Sequence, residues 1–389
     1  MAHWMFQEHH EMFRKSVKKF VEKEITPYVE EWEENEEVPK KLFERLGELG
    51  YLGIKYPKEY GGLGLDFIME SVFIEELAKC GSGGVGAAIG AHIGIATPPI
   101  WRWGTHEQKK KYLTPAIQGK MIAALAITEP NAGSDVSSIE TRAERHGDCY
   151  VLNGSKTFIT NGVNADYVVI AAKTGDGPRH HNVSLFIVET RWDGFSVGKK
   201  LDKLGWRSSD TGELYFENVK VPKENLLGNE NEGFRYIMQN FQWERLVMAL
   251  SSVALAEKAL EDSIRYSKER VQFGKPICQF QVLRHKMVDM AIDIEKARHI
   301  TYRAIYLYNQ GKGVTTEATM AKAYAGEMVS RVCDQAVQIH GGNGYMLEFP
   351  VQRYWRDARI QSIGGGTTQI MREILVKRLE IMQEGSPEA

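Results

Sequence analysis

One amphipathic stretch, residues 232–250, constrains the fold of this chain more than any other. Its sequence, EGFRYIMQNFQWERLVMAL, repeats apolar residues every three or four positions, which is typical of a helix with one buried face. Asn231 and Glu232 supply a predicted N-cap and an acid in the first turn. Residues 246–250 are apolar on every side of the helix, so this end is expected deep in a core.

Glu244 interrupts the apolar face of this predicted helix. Burial disfavours the charged form of a carboxylate, so such a group is either paired with a cation or has a raised pKa. Two interpretations follow: a buried ion pair, for which the adjacent Arg245 is a candidate, and a catalytic base. The helix pattern on its own favours the ion pair.

Composition limits the class of protein. With 389 residues the chain exceeds one small core, so two or three domains are expected. The net charge of −2 and the lack of a basic block argue against nucleic acid binding. Four scattered cysteines without a CxxC pair predict reduced thiols and no metal site. No apolar run is long enough to cross a membrane, and the N-terminus resembles neither a signal nor a transit peptide, so we expect a cytoplasmic protein of bacterial type.

The periodicity of the sequence changes twice, which predicts an α+β multidomain fold in three parts. Residues 1–121 are predicted to form an N-terminal α-helical domain. Residues 122–230 contain short strand patterns with Asn-Gly and Asp-Gly turns, typical of a β-barrel or sandwich. Residues 231–389 are predicted to form a C-terminal four-helix bundle, with helices at about 232–272, 279–311, 316–340 and 367–383.

Local composition suggests three further features. The acidic run 30–37 is predicted to be a solvated turn that leads into a helix. The Gly- and Ala-rich segment 83–96 either lets helices approach closely or leaves room for a bound chain, and the sequence does not decide between these. Two short strands, 150–152 and 157–160, are expected on either side of a turn at the Asn-Gly pair 153–154.

A motif at the start of the middle domain combines a turn with polar side chains. It reads ITEPNAGSDVSSIET from Ile127, and Gly133 lies in a turn whose backbone amides can approach a ligand closely. Thr128 and Ser134 add hydroxyl groups on either side of that turn. The plainer interpretation is a loop between two strands with ordinary turn residues.

A second motif, NGSKTFITNG from Asn153, places an aromatic plane beside a hydroxyl donor. Strand alternation puts Phe158 and Thr160 on the same face of the predicted strand. This pairing suits a flat heterocyclic ligand, and it is equally consistent with a simple cross-strand pair.

These two motifs, in this order and flanked by helical segments, resemble the acyl-CoA dehydrogenase family of flavoenzymes. Three further segments match the family: RVQFGKPI from Arg270, QIHGGNGY from Gln338 and RDARIQSIGGGTTQI from Arg356. The resemblance extends over about residues 6–385. It implies FAD as cofactor, an acyl-CoA substrate, an electron-transfer flavoprotein as electron acceptor and a homotetramer.

The resemblance also implies which residues hold FAD, which in this family lies between the β-domain and the C-terminal helices. Thr128 and Thr160 match residues that bond the pyrimidine edge and N5 of the flavin. Phe158 matches an aromatic residue, usually tryptophan, that packs on the isoalloxazine. Ser134 matches a position near the adenosine and substrate phosphates. The first motif adds Ile127 and Gly133 to the expected cofactor contacts.

A second group of matched residues reaches the FAD of a neighbouring subunit, which is why the resemblance implies an oligomer. Arg270 suits the pyrophosphate because a guanidinium binds phosphate through two hydrogen bonds. Glycine allows a close backbone approach to the diphosphate. The residues of this group are Arg270, Gln272, Phe273, Gln338 and Gly342. Thr367 and Gln369 match further contacts on the adenine side.

The sequence departs from the common family pattern at one position. Much of the family carries its catalytic glutamate two residues before the threonine of the last motif, and here that residue is Gly365. A subset, the isovaleryl-CoA and long-chain acyl-CoA dehydrogenases, places the base on the first helix of the C-terminal domain, where this sequence has Glu244. The resemblance therefore favours Glu244 as the base. It also implies that Phe241 and Arg245 line the CoA entrance and that Ser134 contacts the substrate.

The expected reaction is the conversion of an acyl-CoA thioester to a trans-2-enoyl-CoA. Glu244 is expected to remove the α-proton, and the Gly365 amide and a ribityl hydroxyl of FAD are expected to stabilise the enolate oxygen. Gly364 replaces a bulky tyrosine of many relatives, which favours a branched substrate, whereas other segments resemble the long-chain members. Two substrates are therefore expected as candidates, a medium-to-long straight-chain acyl group and a branched one. The alternatives are a lyase or oxidase on the same scaffold and a non-catalytic module that binds flavin and acyl-CoA.

Overall fold

The structure, a computed structural model, describes residues 4–381. Side chains cap the N-termini of several of its helices: Asp66 accepts a hydrogen bond from Met69 N, and Ser82 accepts one from Val85 N. A π-helical segment, Ala91–Ala96, continues one helix into the next. The N-terminal helices are α1 (Glu8–Glu24), α2 (Val29–Asn35), α3 (Lys40–Glu48), α4 (Phe67–Ala78), α5 (Gly83–Gly90), α6 (Thr97–Trp103), α7 (His106–Gln108) and α8 (Thr114–Ile117).

The middle part is one mixed sheet of eight strands. Its order is β6-β7-β3-β2-β4-β5-β8, and β1 pairs in parallel with β4. Strand β4 is buried on both faces: Val169 packs toward the cluster that contains Tyr112, and Val168 packs toward Phe186 and Phe216. The strands are β1 (Ala123–Ala126), β2 (Arg142–His146), β3 (Cys149–Thr160), β4 (Tyr167–Lys173), β5 (Val183–Glu189), β6 (Phe195–Lys200), β7 (Thr211–Pro222) and β8 (Leu226–Leu227).

The C-terminal part is the helical bundle predicted from the sequence. Helix α11 packs against α9, α10 and α13. The apolar end of the opening stretch is buried as predicted, with Leu246 and Leu250 fully enclosed. The helices are α9 (Gly233–Glu269), α10 (Gln281–Asn309), α11 (Thr315–His340), α12 (Val351–Ala358) and α13 (Thr368–Arg378), and a hairpin of β9 (Val271–Gln272) and β10 (Lys275–Pro276) follows α9. The sequence predicts that the last helix ends at residue 383, which lies outside the described residues.

The two helical parts share one hydrophobic core. Phe73 of α4, Leu250 of α9 and Val329 of α11 belong to the same buried cluster. None of the helices in the described range 4–381 has the length and apolarity needed to span a bilayer. All four cysteines are unbonded, and Cys80 and Cys333 are buried.

Tertiary packing overrides two predictions made from local composition. The Asn-Gly pair at 153–154 does not form a turn: β3 continues through it, and the pairing with β7 shifts register there. A Cβ on Gly154 would lie 2.5 Å from Thr141 Oγ1, so the glycine serves a close contact between strands. The acidic run 30–37 is not wholly solvated either, since most of it forms α2 and Glu33 is buried.

The N-cap predicted for the long helix is also wrong. Helix α9 has Glu232 at its N-cap, and no side chain accepts a hydrogen bond there. Asn231 instead has a φ of +67°, and its Oδ1 accepts a hydrogen bond from Thr174 Oγ1, directly after β4. The sequence pattern missed strands β2 and β6, which are short and largely exposed, and helix α12, which is short and buries polar side chains such as Arg353 and Asp357.

A single carboxylate joins the three parts of the molecule. Asp357 of α12 accepts hydrogen bonds from Gly83 N at 2.8 Å and from Trp206 N at 2.6 Å. Gly83 begins α5, and Trp206 lies in a loop of the middle domain, so one side chain binds all three. Glu33 adds a second link because it accepts hydrogen bonds from both Ser82 Oγ and Ser208 N.

We expect Asp357→Ala to destabilise the protein by about 2–4 kcal/mol, because two backbone donors lose their acceptor in a region of low exposure. Urea unfolding followed by circular dichroism measures this loss. Asp176→Ala is a suitable control, since Asp176 forms only an exposed ion pair with Arg142 and should change stability by less than about 1 kcal/mol. Equal effects of the two substitutions would contradict the role of Asp357.

Candidate active site

Helix α9 carries Glu244 into the shared core, where 8% of the residue is exposed. Within residues 4–381, Glu244 Oε2 has no hydrogen-bond partner, and Arg245 Nε likewise has none. The buried ion pair between these neighbours, considered from the sequence, is therefore absent from the described structure. Desolvation raises the pKa of Glu244 to about 7, although the positive charges of Arg245 and Lys322 oppose the shift.

Gly365 faces this carboxylate from the segment between α12 and α13. A Cβ on Gly365 would lie 3.5 Å from Glu244 Oε1 and 2.5 Å from Met248 Sδ. Gly365 has a φ of +61° and Gly366 a φ of +96°, conformations that glycine adopts without steric cost. The two sequence positions at which a base was considered, 244 and 365, thus lie side by side.

Two buried cations stand near the carboxylate. The Arg245 guanidinium lies 5.8 Å from the ring centre of Phe241, so the two residues predicted for the CoA entrance are adjacent. Lys322 of α11 is buried, and its Nζ donates a hydrogen bond to Gly366 O. Sequence analysis missed Lys322, because one lysine in a helical pattern carries no local signal that it is buried.

An apolar groove between α5 and α9 begins one helical turn beyond Glu244. A Cβ on Gly86 would meet no atom within 4 Å, whereas Cβ atoms on Gly90 and Gly94 would lie 3.8 and 3.5 Å from the Val247 side chain. From Glu244 to the end of the groove, α9 advances about 10 Å. The lining residues are Phe73, Ile74, Leu77, Gly86, Ile89, Gly90, Ile93, Val247 and Ser251.

Segment 83–96 shows both arrangements that the sequence left open, close helix packing and space for a bound chain. Its first glycines allow close contact, since a Cβ on Gly83 would lie 2.5 Å from the Trp206 ring and one on Gly84 would lie 2.3 Å from Ser208 Oγ. The later glycines border the groove instead. The same composition therefore gives close packing against the middle domain at one end and open space beside α9 at the other.

The two motifs of the middle domain lie against each other. Thr157 N donates to Thr128 O at 2.9 Å, and Lys156 Nζ donates to Ile127 O at 2.9 Å. Lys156 also pairs with Glu129 Oε1 at 2.7 Å, and desolvation lowers the pKa of this fully buried lysine to about 8. Hydrogen bonds that involve the backbone and a buried ion pair thus fix the first motif to β3.

Phe158 follows this attachment directly and is unusual in two respects. It has a φ of +59° at a register shift in β3, and 69% of it is exposed. A left-handed aromatic residue costs about 1–2 kcal/mol, so the surrounding contacts must enforce it. Thr160 is half-buried, and a Cβ on Gly133 would meet no atom within 4 Å. An exposed aromatic plane beside hydroxyl and backbone groups fits an isoalloxazine ring.

The residues predicted to reach a neighbouring subunit lie at the surface. The β9–β10 hairpin exposes Arg270, Gln272 and Phe273, and Phe273 is 92% exposed. Gln338 and Gly342 are exposed near the end of α11, Ser134 is exposed in its loop, and Gln369 is exposed in the first turn of α13. Thr367 caps α13 by accepting a hydrogen bond from Ile370 N. The roles of all these residues in cofactor binding remain predictions.

Comparison with known proteins identifies the class. The acyl-CoA dehydrogenase N-terminal, middle and C-terminal domains match residues 7–120, 124–219 and 231–380. The chain is 40% identical to the mitochondrial long-chain specific acyl-CoA dehydrogenase of Rattus norvegicus, over 96% of this chain and 87% of that one.

Two solved structures are similar over almost their whole length. Butyryl-CoA dehydrogenase from Megasphaera elsdenii is 40% identical with a TM-score of 0.94, and the match covers 98% of this chain and 100% of that one. A chain in a structure named for the electron transferring flavoprotein of Acidaminococcus fermentans is 42% identical with a TM-score of 0.94, over 97% and 99% of the two chains.

The chain therefore belongs to the acyl-CoA dehydrogenase family. It is a flavoprotein oxidoreductase, and the cofactor of this family is FAD. The fold class and the family expected from the sequence motifs are confirmed.

The raised pKa of Glu244 predicts that the ionised carboxylate lowers the free energy of unfolding at neutral and alkaline pH. A folded-state pKa near 7 lies above the usual value of 4.5, so stability falls as pH rises from about 4.5 to 7. We expect Glu244→Gln to raise the free energy of unfolding of the flavin-free protein by about 2–3 kcal/mol at pH 8. The gain should shrink toward zero near pH 5. Thermal unfolding at several pH values measures it, and a gain that is constant with pH would contradict the assignment.

Proposed function

We propose that this acyl-CoA dehydrogenase uses Glu244 as the base that removes the α-proton of an acyl-CoA thioester to give a trans-2-enoyl-CoA. The observation that supports this most directly is that the buried carboxylate lies beside Gly365 and that its Oε2 has no hydrogen-bond partner among the described residues. A structural carboxylate at this depth would be expected to have a partner. A base needs a free oxygen directed at its substrate.

The other groups around Glu244 have complementary roles in this proposal. The Gly365 N–H donates to the thioester carbonyl and stabilises negative charge as the α-proton leaves. Bound FAD supplies the hydride acceptor, for which Thr128, Phe158 and Thr160 form the binding surface. The enclosed site excludes water, and with a pKa near 7 Glu244 is ionised at mildly alkaline pH yet remains basic.

We expect Glu244→Gln to abolish flavin reduction while FAD stays bound. An anaerobic titration of the purified protein with acyl-CoA, followed by the bleaching of flavin absorbance, measures this directly. The fall in rate should be at least about 10³-fold, because the charged groups beside Glu244 are the cations Arg245 and Lys322, neither of which can replace it as the base. Glu232→Gln, at the exposed start of α9, is the matched control and should bleach normally. A Glu244→Gln protein with the wild-type rate would contradict the proposal.

The substrate that we propose is a medium-to-long straight-chain acyl group. The groove beyond Glu244 is lined by apolar side chains and glycines except at Ser251, and Gly86 of α5 borders open space there. A single methyl branch near the reacting carbons would leave most of this groove unfilled, which forfeits the hydrophobic contribution of about 0.8 kcal/mol per methylene. The branched substrate remains the alternative outcome of the titration.

We expect Gly90→Leu to shift substrate preference toward shorter chains. The new side chain would enter the groove opposite Val247, where it competes with the acyl tail. The ratio of kcat/KM for palmitoyl-CoA to that for butyryl-CoA should fall about tenfold or more. Gly313→Leu, in the open joint before α11, is the control for a general glycine effect. If isovaleryl-CoA alone bleaches the wild-type flavin, the straight-chain assignment is wrong.

We also propose an electron-transfer flavoprotein as acceptor and a homotetramer as the assembled form. Similarity to a chain in a structure named for such a flavoprotein supports the first. The second is supported by large apolar side chains exposed on the β9–β10 hairpin, on α10 and after α11, since contiguous exposed apolar surface usually marks an interface. These side chains are Val271, Phe273, Val282, Val288, Ile292, Tyr345 and Leu347. The buried carboxylate of Glu244 argues against a lyase without a base, and oxygen uptake during turnover would identify an oxidase.

A further inference from the structure

Lys322 is a buried cation that the reaction as described does not use. It lies on the face of α11 that packs against the segment after α12, together with Gly326 and Ser330. At Gly326 the contact is close, since a Cβ there would lie 2.6 Å from Gln361 O. Ser362 Oγ donates to Gly326 O at 3.1 Å, so this face of α11 holds the loop that carries Gly365.

The hydrogen bond from Lys322 Nζ to Gly366 O attaches α11 to the residue that directly follows Gly365. Gly365 and Gly366 both have left-handed backbone conformations and no side chains to pack. Loops of consecutive glycines have large conformational freedom, so an external hydrogen bond is needed to fix the orientation of their peptide groups. Lys322 therefore restrains Gly366, the residue after Gly365, through the carbonyl of the Gly366–Thr367 peptide.

Lys322 also contributes charge to the site. Among the described residues it forms no ion pair, and the charged groups that face it are Glu244 and Arg245. The charged groups that face Glu244 are likewise Arg245 and Lys322. Two buried cations thus accompany one buried anion. Burial lowers the pKa of Lys322 to about 8, above that of Glu244, so the lysine carries most of its charge where Glu244 begins to ionise.

We propose that Lys322 is a positioning residue for the dehydrogenation, which holds the backbone carbonyl of Gly366, the residue next to Gly365, and keeps Glu244 ionised. This inference rests on the proposed role of Glu244. The lysine touches neither substrate nor flavin in this scheme. It acts through a backbone carbonyl and through the electric field at the base.

Lys322→Met tests both parts, because methionine has a similar length but neither charge nor donor. Without the cation, the charged form of Glu244 is less stable, so its pKa rises. The acid limb of the pH profile for flavin reduction should move to higher pH by about one unit. The rate at pH 6 should then fall about tenfold more than the rate at pH 9. Lys322→Arg keeps both charge and donor and should restore the wild-type limb.

Ser362→Ala is the matched control, because it loosens the same loop from α11 without a change of charge. It should lower the melting temperature and the rate without a shift of the limb. The ratio of flavin to protein absorbance and the melting temperature are recorded for each variant, so loss of FAD or of folding is separated from loss of proton transfer.

The outcomes separate the two proposals. If Lys322→Met lowers the rate equally at every pH, as Ser362→Ala is expected to do, Lys322 is only structural and the inference is overturned. If Lys322→Arg does not fold, the comparison of Lys322→Met with Ser362→Ala still decides. If Glu244→Gln retains flavin reduction, the base assignment itself fails. Loss of activity in Glu244→Gln with an unshifted limb in Lys322→Met would overturn only the role of Lys322.

Discussion

The burial of an unpaired carboxylate is the constraint on which the rest of the site depends. Glu244 lies at 8% exposure in a core shared by both helical domains, so its charge must be tolerated by what surrounds it. The positive charges of Arg245 and Lys322 lie near enough to oppose the effect of desolvation on the carboxylate. Neither residue forms an ion pair with Glu244 in the described structure. A closer cation would stabilise the carboxylate and make it a poorer base, because a lowered pKa reduces its affinity for a proton.

The sequence predicted the parts of this site that are local and missed those that depend on distant contacts. Glu244 was identified because a carboxylate within an apolar helical face violates a local pattern, and Gly365 because it replaces the usual glutamate in a recognised motif. Lys322 has no such signal: its partner Gly366 is 44 residues away, and its burial follows from the packing of α11 against the last loop. The attachment of Lys156 to the first motif was missed for the same reason.

The errors in the predicted fold have a common physical origin. Asn-Gly pairs and acidic runs have strong local preferences for turns and solvent, yet both were overridden by neighbours. The pair at 153–154 became part of β3 because β2 and β7 supply hydrogen bonds along that strand. The acidic run became α2 because Trp32 is buried against the core, and Glu33 accepts hydrogen bonds from two other segments. The three-part architecture was predictable because hydrophobic periodicity is averaged over many residues, so single local errors do not change it.

The hydrogen bonds at Asp357 limit how ligands enter and leave. Backbone donors from the N-terminal and middle domains converge on a side chain of the C-terminal domain, so a hinge rotation that separates any two domains must break at least one of these bonds. Domain closure of the kind seen in hinged enzymes is therefore disfavoured here. Entry of an acyl-CoA without domain rotation would require side chains along α5 and α9 to move, and the contacts of the acyl tail would then oppose departure of the product. A longer tail, held by more of the groove, should then lengthen the residence time of the product.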